Sequence, residues 1–117
     1  MSANTQEMQL QIKPVTAALG AEVWGIDITK LDDNGLGTVN ELILEYGALS
    51  LHGQGHVSTE QLREFGLRFG KLDVHGYART AGGFDDVMKI GRLNESWHSD
   101  LTWKQLPAKL SMLYAHQ

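Results

Sequence analysis

A chain of 117 residues, 42% hydrophobic and 21% charged, has the size and make-up of one globular domain or part of one, which excludes a disordered or fibrous protein. A formal net charge of -4 with scattered Lys and Arg leaves no basic footprint for nucleic acid or anionic lipid, and the lack of cysteine excludes disulfides, thiolate metal sites and a cysteine nucleophile. No apolar run approaches the roughly 18 residues of a membrane helix, and the start MSANTQEMQ has neither the basic end nor the apolar stretch of a signal peptide. The cytoplasm is therefore the expected location, without membrane or nucleic-acid partners, and any metal must be held by His, Asp or Glu.

In chain order, Leu10 to Val15 and Ala21 to Ile28 read as two short strands. Leu19 and Gly20 supply the turn between them, and in the second strand Val23, Gly25 and Asp27 alternate with Trp24, Ile26 and Ile28. After the loop KLDDNGLG, the residues Val39, Leu42, Ile43 and Tyr46 have the spacing of one buried helix face, with Gly47 as the stop. Ala48 to Leu51 reads as a short buried strand, followed by the Gly-rich turn HGQGH. Ser58 and Gln61 then form an S-x-x-Q capping box, with Val57 and Leu62 at the staple positions. This predicts a helix over Thr59 to Phe69 whose apolar face is Leu62, Phe65 and Phe69, with Gly70 at the left-handed C′ position.

Lys71 to His75 and Val87 to Ile90 are further strand candidates, separated by GYARTAGGFDD, whose adjacent glycines Gly82 and Gly83 point to mobility. Leu110 to Ala115 (LSMLYA) has the look of a buried strand, yet Gln117 follows within two residues without a return strand. Domains rarely end on an unpaired core strand, so a truncated chain is expected. The elements add up to an α+β fold, strand-rich around two helices.

The chemistry concentrates in Asn94 to Trp103, NESWHSDLTW. In a strand, residues two apart point to the same side, so His98 and Asp100 can converge on one ion while Trp97, Ser99 and Leu101 face away. An imidazole and a carboxylate are two thirds of the 2-His-1-carboxylate triad that holds Fe(II) and leaves positions open. The spacing alone favours a solvated loop, or a histidine oriented by a carboxylate.

The wider context is more specific. WHSDLTW followed by Pro107-Ala108 and LSMLYA resembles the metal-binding segment of the taurine dioxygenase and 2,4-dichlorophenoxyacetate dioxygenase family of Fe(II)/2-oxoglutarate-dependent oxygenases. Upstream, and in the family's order, LGAEVWGIDIT resembles its opening hairpin, LHGQ the end of its early core strand, STEQLREFGLRFGKL its capped helix and VHGY its substrate loop. The resemblance covers nearly the whole chain. It implies an incomplete double-stranded β-helix (jelly-roll) core with two helices packed on it, residues 1–117 being the amino-terminal portion of a single oxygenase domain.

Carried over residue by residue, the resemblance implies that His98 and Asp100 are iron ligands, that 2-oxoglutarate is the cosubstrate, and that His75, Tyr77 and Asn94 contact a small organic anion. For His75 the alternative is a surface loop histidine, and for Asn94 a turn residue bonded to its own backbone. His52 stands where the family usually has arginine and reads as a satisfied structural polar group. Trp97 and Trp103 read as core or site-wall aromatics, and His116 as an ordinary terminal residue.

The family's second histidine ligand and its 2-oxoglutarate-binding threonine and arginine lie beyond Gln117, so the residues that bind the cosubstrate are unknown and the chain alone is expected to be inactive. Exposed apolar strands would favour self-association, so that the expected partners are a small-molecule substrate and a homo-oligomer. The alternative is a non-catalytic α+β interaction module derived from the same fold.

Overall fold

The computed structural model describes residues 9–74, 80–90, 100–101 and 103–115. The chain divides into two compact units, Met1–Val57 and Ser58–Gln117.

In the first unit, β1 (Gln11–Pro14) and β2 (Ala21–Trp24) pair antiparallel, with Ile12 opposite Val23 and Pro14 opposite Ala21. The turn between them closes on itself: the Thr16 hydroxyl accepts from the amides of Ala18 and Leu19 at 3.2 and 2.9 Å, a local side-chain turn. β2 also pairs parallel with β3 (Leu49–Leu51), giving the order β1-β2-β3, with helix α1 (Asp33–Tyr46) as the crossover that a parallel pair requires. Ala21, Val23, Ile26, Ile28, Val39 and Leu42 are buried here and form the core of this unit.

α1 begins six residues before Val39, the first member of the predicted stripe, inside the segment read as a loop. Asp32 is the reason: its carboxylate accepts from the Gly35 amide at 2.7 Å, and Asp33 places a negative charge in the first turn. The cap and the first-turn charge together offset the two glycines, each of which weakens a helix interior by about 1 kcal/mol. Gly47 ends the helix at φ +78°, and its amide donates to the Ile43 carbonyl at 2.7 Å.

The predicted strand Ala21 to Ile28 stops at Trp24. Gly25 adopts φ +97°, and a Cβ there would collide with the Gln9 carbonyl oxygen. This conformation resets the alternation, so that Val23, Ile26 and Ile28 are all buried although Val23 is out of phase with the other two. Past the glycine a side chain replaces the sheet ladder. The Gln54 amide donates to the carbonyls of Ile26 and His52, and its oxygen accepts from the Ile28 amide at 3.2 Å.

In the second unit, α2 (Thr59–Leu67) opens on the predicted capping box. The Gln61 amide donates to Ser58 Oγ at 3.1 Å, and the Ser58 amide to Gln61 Oε1 at 3.0 Å. The helix ends two residues before Phe69, because the amides of Arg68, Phe69 and Gly70 fold back three residues to the carbonyls of Phe65, Gly66 and Leu67. Phe65 is buried and meets Phe69 edge-on, centroids 5.2 Å apart.

Three strand expectations change here. Lys71 to Val74 is irregular rather than a strand, with Val74 exposed; His75 lies outside the described residues. The GYARTAGGFDD segment holds a hairpin, β4 (Thr80–Ala81) and β5 (Phe84–Met88), so the last strand begins three residues before Val87. Gly82 and Gly83, read as a sign of mobility, are its two-residue turn at φ +62° and +80°, a geometry that favours glycine at both positions. The hairpin is fixed to α2 by Arg63, whose guanidinium donates twice to Asp86 at 2.8 and 2.9 Å and covers the Phe84 ring. These hydrogen bonds hold the Asp86 carboxyl below its ordinary pKa.

Leu110 to Ala115 does not form the expected buried strand. No strand pairs with it among the described residues, and Met112 and Leu113 are exposed. No helix among the described residues is long and apolar enough to cross a membrane.

Candidate functional site

Of the residues singled out for chemistry, His75, Tyr77, Asn94 and His98 lie outside the described residues, as do Trp97 and His116, and Asp100 is described. Asp100 sits in a turn rather than a strand, and it is exposed. Ser111 Oγ donates to Asp100 Oδ2 at 2.5 Å.

The neighbouring residues fix the backbone of this turn. Leu101 is 5% exposed and holds a φ of +58°, a left-handed conformation that a leucine adopts only when its surroundings impose it. The Lys104 amide closes the turn on the Leu101 carbonyl at 3.0 Å. The Lys104 side chain then reaches Asp73 Oδ1 at 2.6 Å. Asp73 precedes His75 by two residues, so the ion pair brings the lead-in to the predicted substrate loop against the end of the Asp100 turn. Trp103, read as a core or site-wall aromatic, is instead 74% exposed, because Leu101 takes the buried position of this turn.

The first unit carries two further polar clusters. His52 stacks on Trp24, ring centroids 4.5 Å apart and planes 9° from parallel, and its Nε2 lies 3.2 Å from Glu22 Oε1. It is the satisfied structural group that the sequence indicates. Asp27 accepts from the Thr29 hydroxyl at 2.6 Å, from the Thr29 amide at 2.9 Å, and pairs with His56 Nε2 at 3.0 Å. The Thr29 hydroxyl leads in lowering the Asp27 pKa from 3.8 to about 2, with partial burial opposing it and His56 adding to it. Sequence reasoning missed this cluster. The D-x-T spacing of Asp27 and Thr29 is the local turn signal that marks it.

Among the described residues no group of three or more His, Cys, Asp or Glu side chains is arranged to hold a metal ion. What the described residues supply is one carboxylate on an anchored turn, exposed and hydrogen-bonded by a neutral hydroxyl. That fits one oxygen donor of a mixed nitrogen and oxygen site for a divalent cation.

The sequence model for "Taurine catabolism dioxygenase TauD, TfdA family" matches residues 11–117. An alkylsulfatase from Acinetobacter baylyi is 30% identical over 90% of this chain and 35% of that protein. An (S)-phenoxypropionate/alpha-ketoglutarate-dioxygenase from Sphingobium herbicidovorans is 35% identical over 84% of this chain and 37% of that protein. The crystal structure of a taurine dioxygenase from Burkholderia xenovorans superposes with a TM-score of 0.72 at 29% identity, over 84% of this chain and 37% of that one. The chain thus spans little more than a third of the length of these relatives. With a match that runs through both units and includes the Asp100 turn, the chain belongs to the TauD, TfdA family.

Proposed function

We propose that this chain is the amino-terminal portion of an Fe(II)- and 2-oxoglutarate-dependent dioxygenase that hydroxylates a small organic anion: a sulfonate, a sulfate ester or an aryloxy acid. One observation carries the reading: the exposed Asp100 carboxylate, held on a turn by Leu101 and Lys104, stands in a chain that the family's sequence model matches through Gln117. Relatives named for alkyl sulfate, phenoxypropionate and sulfonate chemistry share an anionic, small-molecule substrate class and support that choice.

In this reading His98 and Asp100 hold the iron, and further chain supplies the third ligand and the groups that bind 2-oxoglutarate. His75, Tyr77 and Asn94 orient the substrate, and the α+β fold is an incomplete jelly roll. When bound, the iron supplies the oxygen chemistry, in which 2-oxoglutarate is oxidatively decarboxylated to succinate and CO2 as the substrate is hydroxylated. The contribution of the described residues is positional. The buried Leu101 and the Lys104–Asp73 pair set where the carboxylate stands relative to the start of the substrate loop.

The test is a chimera that places these 117 residues ahead of the carboxy-terminal two thirds of the Acinetobacter relative, assayed for succinate with alkyl sulfate, alkanesulfonate and phenoxypropionate. Succinate formation that depends on one of these substrates and falls to background in H98A and D100A is expected. A folded, iron-loaded chimera without such turnover contradicts the reading. The 117-residue chain alone is expected to form no succinate.

A further inference from the structure

We infer that Ser111 is a positioning residue for the metal-ligand carboxylate, acting through its hydroxyl on Asp100; the inference rests on the iron-binding reading of Asp100 given above. Ser111 lies in the run LSMLYA, where Leu110, Met112, Leu113 and Ala115 are apolar, and Ser111 itself is exposed. Neither burial nor strand pairing among the described residues holds Ser111 in place. Its hydroxyl is instead committed to a partner 11 residues away in sequence, Asp100 Oδ2, at 2.5 Å.

The bond acts on the side chain where the turn acts on the backbone. Leu101, buried at φ +58°, and the Lys104 amide on the Leu101 carbonyl fix the backbone that carries Asp100. Neither restrains the rotation of the carboxylate about its own bonds. A hydroxyl on Oδ2 does so, because it holds the carboxylate plane and engages one of its two oxygens. A carboxylate whose plane is held this way would present a fixed orientation to a cation bound there. Partners of this kind orient ligating carboxylates in metal sites generally, and their loss weakens metal binding by about 10- to 100-fold.

Two readouts on the 117-residue chain test this. In protein labelled with 13C-aspartate, the carboxyl resonance of Asp100, assigned by its loss in D100N, is expected to move in S111A and to stay near its wild-type position in S111T, which keeps the hydroxyl. Titration with Mn(II), followed by the paramagnetic resonance of the free ion, is expected to give about tenfold or weaker affinity in S111A and an S111T value within about twofold of wild type.

An unmoved Asp100 resonance in S111A overturns the inference, as does S111T failing like S111A, since a purely structural role would not distinguish the hydroxyl. Wild-type affinity in S111A while D100N binds no Mn(II) overturns the inference and leaves the iron-binding reading standing. Binding unchanged in D100N overturns that reading and the inference with it.

Discussion

Lys104 Nζ stands 2.6 Å from Asp73 Oδ1, so a single ion pair connects the chain just before His75 to the chain just after Asp100. Both side chains are 38% exposed, which places the pair among surface salt bridges. A double-mutant cycle of D73A and K104A under urea is expected to give a coupling of no more than about 1 kcal/mol at low salt, and less in 1 M NaCl. A coupling near zero at low salt would mean that the pair does not restrain these two segments.

Gly25 and Gly37 should respond to alanine in opposite directions. At Gly25 the φ of +97° and the close approach of the Gln9 carbonyl to the place a Cβ would occupy both oppose a side chain. G25A is expected to lose at least about 2 kcal/mol, from left-handed strain plus the displacement of Gln9. Gly37 lies within α1 and a Cβ there meets nothing within 4 Å. G37A is expected to gain about 0.5–1 kcal/mol in the same denaturation experiment.

Removing the α2 cap isolates one local interaction. S58A deletes the acceptor of the Gln61 amide, and a loss of about 1 kcal/mol is expected, whereas S58D should retain most of the wild-type stability. Equal losses in both variants would show that the cap hydrogen bond is not what starts this helix.

Asp27 gives the first unit an acid-sensitive contribution. Its folded pKa of about 2 lies below the ordinary 3.8, so the folded state binds this proton less readily than the unfolded chain does. The stabilisation is therefore complete above pH 3.8 and disappears as pH falls toward 2. With the side chain 31% exposed and solvent screening its partners, it is expected to contribute about 1 kcal/mol at most. The difference in urea midpoint between wild type and D27N should shrink between pH 4 and pH 2. A difference that is constant with pH would contradict this assignment.

The elements that were legible in the sequence are those carried by local chemistry. Ser58 and Gln61 announce α2 because both halves of their reciprocal bond lie within four residues, and Val39, Leu42, Ile43 and Tyr46 announce the buried side of α1 because helical spacing alone sets it. The end of β2 was not legible, since an alternating pattern reads smoothly through Gly25 although its backbone turns there. The glycine pair at 82 and 83 carried the hairpin signal but was outweighed by the length of the surrounding loop. The mostly exposed run from Leu110 to Ala115 shows the limit of composition: an apolar segment becomes a strand only where a neighbour pairs with it.

The candidate site was legible as a motif and opaque as a structure. H-x-D and its flanking residues single out Asp100, but the hydroxyl bonded to Asp100 comes from Ser111, 11 residues on, and the carboxylate paired with Lys104 comes from Asp73, 31 residues before it. No periodicity connects such positions, and only the folded chain brings them together.

Joint binding of a divalent metal by His98 and Asp100 is read from the fraction of Mn(II) left free, by paramagnetic resonance, in millimolar solutions of the wild-type chain, H98A and D100A. Binding in the wild type that is lost in both variants is the expected result. Wild-type binding that persists undiminished in H98A or in D100A would contradict the assignment of these two residues as ligands.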